Sequence, residues 1–126
     1  MIMICGIPNA GKTTYSKQYD NVVHLDEISG STHKRHDICR EIVSKGDVVI
    51  EGVFGTKRFR RELISLCPQN VRKTCIWLDT PVDECLRREQ AYRKRPNSIV
   101  LLHAKAFEEP TYDEGWDEII RIKSNP

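Results

Sequence analysis

Gly6-Ile7-Pro8-Asn9-Ala10-Gly11-Lys12-Thr13 is the stretch on which the reading of this chain turns. The apolar run 1–5 before it reads as a short buried strand, and residues 14–19 after it can continue as a helix. Strand, then G-x-x-x-x-G-K-[ST], then helix is the pattern of a phosphate-binding loop. The glycines let the backbone curl so that successive N–H groups point at phosphate oxygens. The helix N-terminus adds further unpaired N–H groups and a partial positive charge. Gly6, Pro8, Asn9, Ala10, Gly11, Lys12, Thr13 and Thr14 are therefore the expected nucleotide contacts. Lys12 reaches for the β- and γ-phosphates, and the Thr13 hydroxyl is the expected Mg²⁺ ligand. Asn9 stands where glycine is commoner in such loops; asparagine tolerates left-handed backbone better than most residues, so the loop can still close.

A chain of 126 residues suggests one domain, 1–126. A net charge of +2 is too small to argue nucleic-acid binding by itself. No apolar run is long enough for a membrane helix, and a core strand starting at Met1 leaves no room for a signal peptide. The five cysteines include no C-x-x-C pair, so neither a zinc site nor a disulfide framework is supported. Cys5, Cys75 and Cys85 fall in apolar patterns and are expected in the core; a reducing cytoplasm is the simplest compartment.

Further along, residues 22–25 read as a second strand with Asp26 at its C-terminal end, where ligands of open α/β sheets lie. Ile38, Cys39, Ile42 and Val43 share a helical face within 33–45, and Gly46 fits the stop. Residues 47–52 form a third, β-branched strand that includes Glu51. Thr56 caps a helix whose Phe59, Leu63 and Ile64 face inward, and Pro68 ends it. Residues 71–79 are a fourth strand. Pro81 opens a helix with Asp83 and Glu84 in its first turn, and Pro96 breaks it. Ser98 caps a further helix with Ile99, Leu102, His103 and Ala106 on one face, and residues 117–122 read as an edge strand. Strands alternating with helices predict an α/β, three-layer fold around a mostly parallel five-stranded sheet.

Asp26 is the candidate general base for an attacking hydroxyl. Glu51 ends an apolar run in an acid, a position that steadies Mg²⁺ or its waters, although a polar strand terminus looks the same. Arg88, Tyr92 and Arg95 share a helical face flanked by Arg93 and Lys94. A mobile arginine over a transferring phosphoryl group stabilises its charge, so 88–98 is read as a lid with Arg88 and Arg93 as candidate catalytic residues. The basic groups Lys57, Arg58, Arg60, Arg61 and His33, Lys34, Arg35, His36 fit either steering of an anionic substrate or solvated helix faces. The histidines show no metal-ligand spacing.

The chain resembles the P-loop kinases of the polynucleotide 5′-hydroxyl kinase group. The likeness rests on the loop 6–14, on Asp26 as the match to the family's catalytic aspartate, and on 77–88 leading to Arg93 and Arg95 as a lid helix. It rests also on Phe107-Glu108-Glu109-Pro110-Thr111 with 113–120 as a C-terminal segment. The resemblance implies an ATP-dependent (or other NTP-dependent) kinase using Mg²⁺, with a polynucleotide 5′-OH as acceptor. Ser29 departs from the family's pattern after Asp26. The alternatives are a small-molecule kinase acting on a nucleoside, sugar or antibiotic, or a nucleotide-binding module without transfer activity. An oligomer is compatible with the sequence but not readable from it.

Overall fold

The computed structural model describes residues 1–92 and 98–123. Five strands, β1 (Ile2–Cys5), β2 (Val23–His24), β3 (Val49–Glu51), β4 (Thr74–Asp79) and β5 (Glu118–Lys123), form one sheet in the order β2-β3-β1-β4-β5. Every pairing in it is parallel. The helices are α1 (Lys12–Ser16), α2 (Thr32–Ser44), α3 (Lys57–Leu66), α4 (Val82–Tyr92) and α5 (Ile99–Ala106).

The period of two along β1 divides the core. Met3 and Cys5 face one side, with Ile50, Cys75 and Trp77 from neighbouring strands and Cys39, Val43 and Leu63 from α2 and α3. Ile4 faces the other, with Ile76 and Leu78, covered by Tyr15, Cys85 and Val100. The result is helix, sheet, helix, as expected. Central strands buried on both faces explain why their sequences read as continuous apolar runs.

Local signals place the helices. Ser31, Thr56 and Ser98 accept from the backbone N–H of Lys34, Phe59 and Leu101, capping α2, α3 and α5. Gly46, at φ 138°, follows the end of α2. Two expectations need correction. Strands β1 to β4 are shorter than the runs that mark them, and β2 passes into a 3-10 turn, Leu25–Glu27, so Asp26 sits on that turn and not directly at a strand end. On α5, Val100 is wholly buried while Leu102 is 68% exposed. That helix is apolar nearly all round, so periodicity could not choose its inward face.

Candidate active site

The loop leaves β1 at the point where the sheet order reverses, between β3 and β4. Gly6 has no alternative there: a Cβ would stand 2.8 Å from the Leu78 carbonyl oxygen on β4. Asn9 adopts φ 67°, the left-handed backbone its type tolerates. Its side-chain amide donates to the Cys85 carbonyl at 3.4 Å. The Thr80 hydroxyl donates to the Ala10 carbonyl at 2.7 Å. Arg88 on α4 donates through Nη1 to the Asn9 carbonyl at 2.8 Å. The loop is thus stitched to β4 and α4 by side chains distant in sequence.

Lys12 is only 8% exposed, and its Nζ donates to the Gly6 and Ile7 carbonyls at 2.9 and 2.8 Å. Burial lowers its pKa, opposed by the charge of Glu51. An ammonium so desolvated gains more from an arriving phosphate than one in water.

The β1–β3 register sets Ile4 opposite Glu51, which brings that carboxylate beside the loop. Glu51 is buried. The Thr13 hydroxyl donates to its Oε1 at 3.4 Å, and its Oε2 lies 3.2 Å from His24 Nδ1. Hydroxyl and carboxylate oxygen are hard donors of the kind Mg²⁺ takes, one or two from protein and the rest from waters and phosphates. Among the described residues no cluster of three His, Cys, Asp or Glu side chains could hold an ion alone. Thr13 and Glu51 therefore fit an ion that arrives with a nucleotide.

These groups share one open cavity of about 1320 Å³. The loop with Lys12, the polar Asp26, Arg35 and His36, the apolar Val53, Phe54 and Phe59, and Ile99 with His103 all line it. Asp26 is exposed, and its carboxylate takes no hydrogen bond among the described residues. Glu84 is bound by Arg87 and by Arg88, and hydrogen bonds from Arg87 above all hold its carboxyl down to about 2. His36, stacked on Phe59 at 4.0 Å between ring centroids, and His103 both have pKa values lowered chiefly by burial.

No family model matches the chain. Solved structures do. A gluconokinase from Sinorhizobium meliloti 1021 superposes with a TM-score of 0.72 at 14% identity, over 99% of this chain and 83% of that one. A sugar kinase from Janibacter sp. HTCC2649 gives 0.69 at 16% identity, over 97% of this chain and 83% of that one. This is the P-loop kinase fold. At such identities the likeness is one of architecture, and it does not single out the polynucleotide 5′-hydroxyl kinases within that fold.

Placed on the P-loop kinase fold, the expected residues divide. Gly6, Pro8, Asn9, Ala10, Gly11, Lys12, Thr13 and Thr14 form the loop and the first turn of α1, with Glu51 against Thr13 and Asp26 on the same cavity. Arg88 lies within α4 and is bonded to the loop. The other lid residues, Arg93 and Arg95 with Lys94 and Pro96, lie outside the described residues. The basic group after β3 is not one unit. Arg60 is wholly buried in α3 and pairs with Glu114, Nε to Oε1 at 2.6 Å. Arg61 meets Asp113 at 3.2 Å. Sequence reasoning missed Arg60 and Glu114. The available signal was spacing, since position 60 stands three before Leu63 and seven before Cys67, both buried. It missed His24 as well, which no pattern marks.

Proposed function

We propose that this chain is a kinase that transfers the γ-phosphoryl group of ATP, or of another NTP, to a hydroxyl of a small molecule of the sugar class. The observation that carries the proposal is the convergence of Lys12, the Thr13–Glu51 pair and the unbonded carboxylate of Asp26 on one cavity. The loop amides and Lys12 bind the phosphates. Thr13 and Glu51 would hold Mg²⁺, which when bound neutralises charge on the phosphates. Asp26 accepts the proton of the acceptor hydroxyl. That oxygen bonds to the γ-phosphorus as the bond to the β–γ bridging oxygen breaks. Arg88, already directed at the loop, is suited to stabilise charge on the transferring oxygens.

Two observations favour a small acceptor over a polynucleotide 5′ end. The structural neighbours are named as a gluconokinase and a sugar kinase. The basic run after β3 is also poorly placed to track a chain of phosphates, because Arg60 is buried against Glu114 and Arg61 is paired with Asp113. The test is incubation with labelled ATP and Mg²⁺ against aldoses, alditols, sugar acids, nucleosides and a 5′-OH oligonucleotide. Label on a low-molecular-weight polyol is expected. Label confined to the oligonucleotide would reverse the choice of acceptor, and tight ATP binding with no labelled acceptor would leave a nucleotide-binding module.

A further inference from the structure

We infer that His24 is a positioning residue for the Mg²⁺ of a bound nucleotide. It holds the Glu51 carboxylate in the one orientation that presents Oε1 to Thr13 and to an ion beside it. This deepens the reading above and rests on its nucleotide and Mg²⁺ part, not on the choice of acceptor.

Glu51 is only 3% exposed, so both of its oxygens need donors from the protein. The Thr13 hydroxyl donates to Oε1 at 3.4 Å, and His24 Nδ1 stands 3.2 Å from Oε2. A carboxylate only accepts, so Nδ1 carries the hydrogen in that contact. No other hydrogen bond reaches either oxygen from the described residues. The two donors differ in kind. Thr13 is itself a candidate ligand, whereas His24 bonds the other oxygen, so what it contributes is orientation. The terminal torsion of a free glutamate is broad. A hydrogen bond on each oxygen replaces that freedom with a single plane. Without His24, Oε2 has no donor, and the carboxylate is free to turn toward Lys12, whose ammonium already feels the Glu51 charge. Such a turn would take a ligand from the ion and occupy the lysine meant for the phosphates.

The contact is built by the sheet. The β2–β3 register sets His24 opposite Glu51, and the β1–β3 register sets Glu51 opposite Ile4, two residues before the loop. Partners in register on parallel strands project to the same face, so the imidazole and the carboxylate meet by strand alignment alone. The ring is 23% exposed and the carboxylate 4%, which shields the bond at its charged end. The turn Leu25–Glu27, which bears Asp26, starts at the next residue. One strand end therefore carries both the support of the ion's carboxylate and the proposed proton acceptor. Mere satisfaction of a buried acid makes a different prediction: loss of His24 would then lower stability and treat ADP and MgADP alike.

The test is calorimetric titration of ADP into the whole protein, once in EDTA and once in saturating Mg²⁺, for the wild type, His24→Leu, His24→Asn, Glu51→Gln and Glu51→Gln/His24→Leu. Mg²⁺ should tighten ADP binding to the wild type. His24→Leu should weaken MgADP about 10- to 100-fold, the usual cost of removing the partner of a metal ligand, and leave Mg²⁺-free ADP in place. His24→Asn should recover part of the loss, because its Nδ2–H can stand where Nδ1–H stood. On top of Glu51→Gln, His24→Leu should have no further effect on the gain from Mg²⁺, since His24 acts through that carboxylate. The inference is overturned if His24→Leu keeps the wild-type gain from Mg²⁺, if it weakens ADP equally with and without Mg²⁺, or if its effect persists undiminished in Glu51→Gln. A wild type indifferent to Mg²⁺ would overturn the Thr13–Glu51 assignment and this inference with it. Failure of phosphoryl transfer shows separately, in the labelling experiment, because no acceptor enters these titrations.

Discussion

Replacing Arg60 by methionine should cost about 3–5 kcal/mol of stability, the range for breaking one side of a buried ion pair. Both side chains of the Arg60–Glu114 pair are 0% exposed. Arg60 donates to Glu114 Oε1 at 2.6 Å and Oε2 at 3.1 Å, to the Phe54 carbonyl at 2.6 Å and to the Glu108 carbonyl at 2.8 Å. Methionine keeps most of the apolar stem, so the loss comes from the charge and not from a cavity. It strands the Glu114 carboxylate with Thr111 N–H at 2.8 Å, Trp116 Nε1–H at 3.2 Å and the Thr111 hydroxyl at 3.3 Å. For a domain of this size the fall in Tm is roughly 10–20 °C. Urea and thermal melts followed by circular dichroism on Arg60→Met, Glu114→Leu and the double variant provide the assay. The double variant should lose less than the sum of the singles by about 2 kcal/mol or more, because it removes both charges together. The sign with pH is a second check. In the wild type, burial alone would raise the Glu114 pKa, but hydrogen bonds from Arg60 and Thr111 bring it below the ordinary value. That contribution is present above the unfolded pKa and is lost as pH falls through the folded one. Without Arg60 the burial effect prevails, so the deficit of the variant should shrink on acidification. A cost under about 1 kcal/mol, or strictly additive singles, would refute the reasoning.

Three other outcomes are expected. Asp26→Asn keeps the shape and removes the proton acceptor, so single-turnover transfer should slow by roughly 10²–10⁴-fold with ATP affinity little changed; lost affinity at an unaltered maximal rate would make Asp26 a binding residue. Lys12→Ala should abolish transfer, since no other described side chain takes its place at the loop, and unchanged turnover would dismiss the loop as the site of chemistry. His36 and His103 have lowered folded pKa values, so between those values and about 6.5 the unfolded chain holds more protons and stability rises with pH. Urea midpoints should therefore fall as pH drops below about 6.5, and His36→Gln/His103→Gln should flatten that slope.

What was legible in the sequence was local. The loop between β1 and α1 and the caps Ser98 and Thr56 are defined by neighbours a few residues away, and the structure places those local elements as read. The acid after the third apolar run was legible as chemistry, but its contact with Thr13 depends on the β1–β3 register, which no local pattern encodes. Arg60 shows the opposite failure. Charge runs are usually solvated, so a buried arginine hides inside one unless helical spacing overrides composition. Its partner Glu114 lies 54 positions away, and only the tertiary fold brings them together. Arg35 read as one cation among four in 33–36; the Ile28 carbonyl that separates it from the others is visible only in three dimensions.

The five buried cysteines turn the molecule into a recorder of its own opening. Cys5 is on β1, Cys39 on α2, Cys67 just past α3, Cys75 on β4 and Cys85 on α4, all of them free thiols. Burial pushes Cys39 up to about 11 and raises Cys85, and the neighbouring Cys5 thiol with burial raises Cys75. Alkylation requires thiolate and access; the closed protein withholds access from all five and suppresses the thiolate of Cys39, Cys75 and Cys85. Pulse labelling followed by peptide mass analysis then assigns each modified sulfur to one element of the fold. The labelling rates separate loosening of the covering helices from rupture of the sheet centre without any engineered probe.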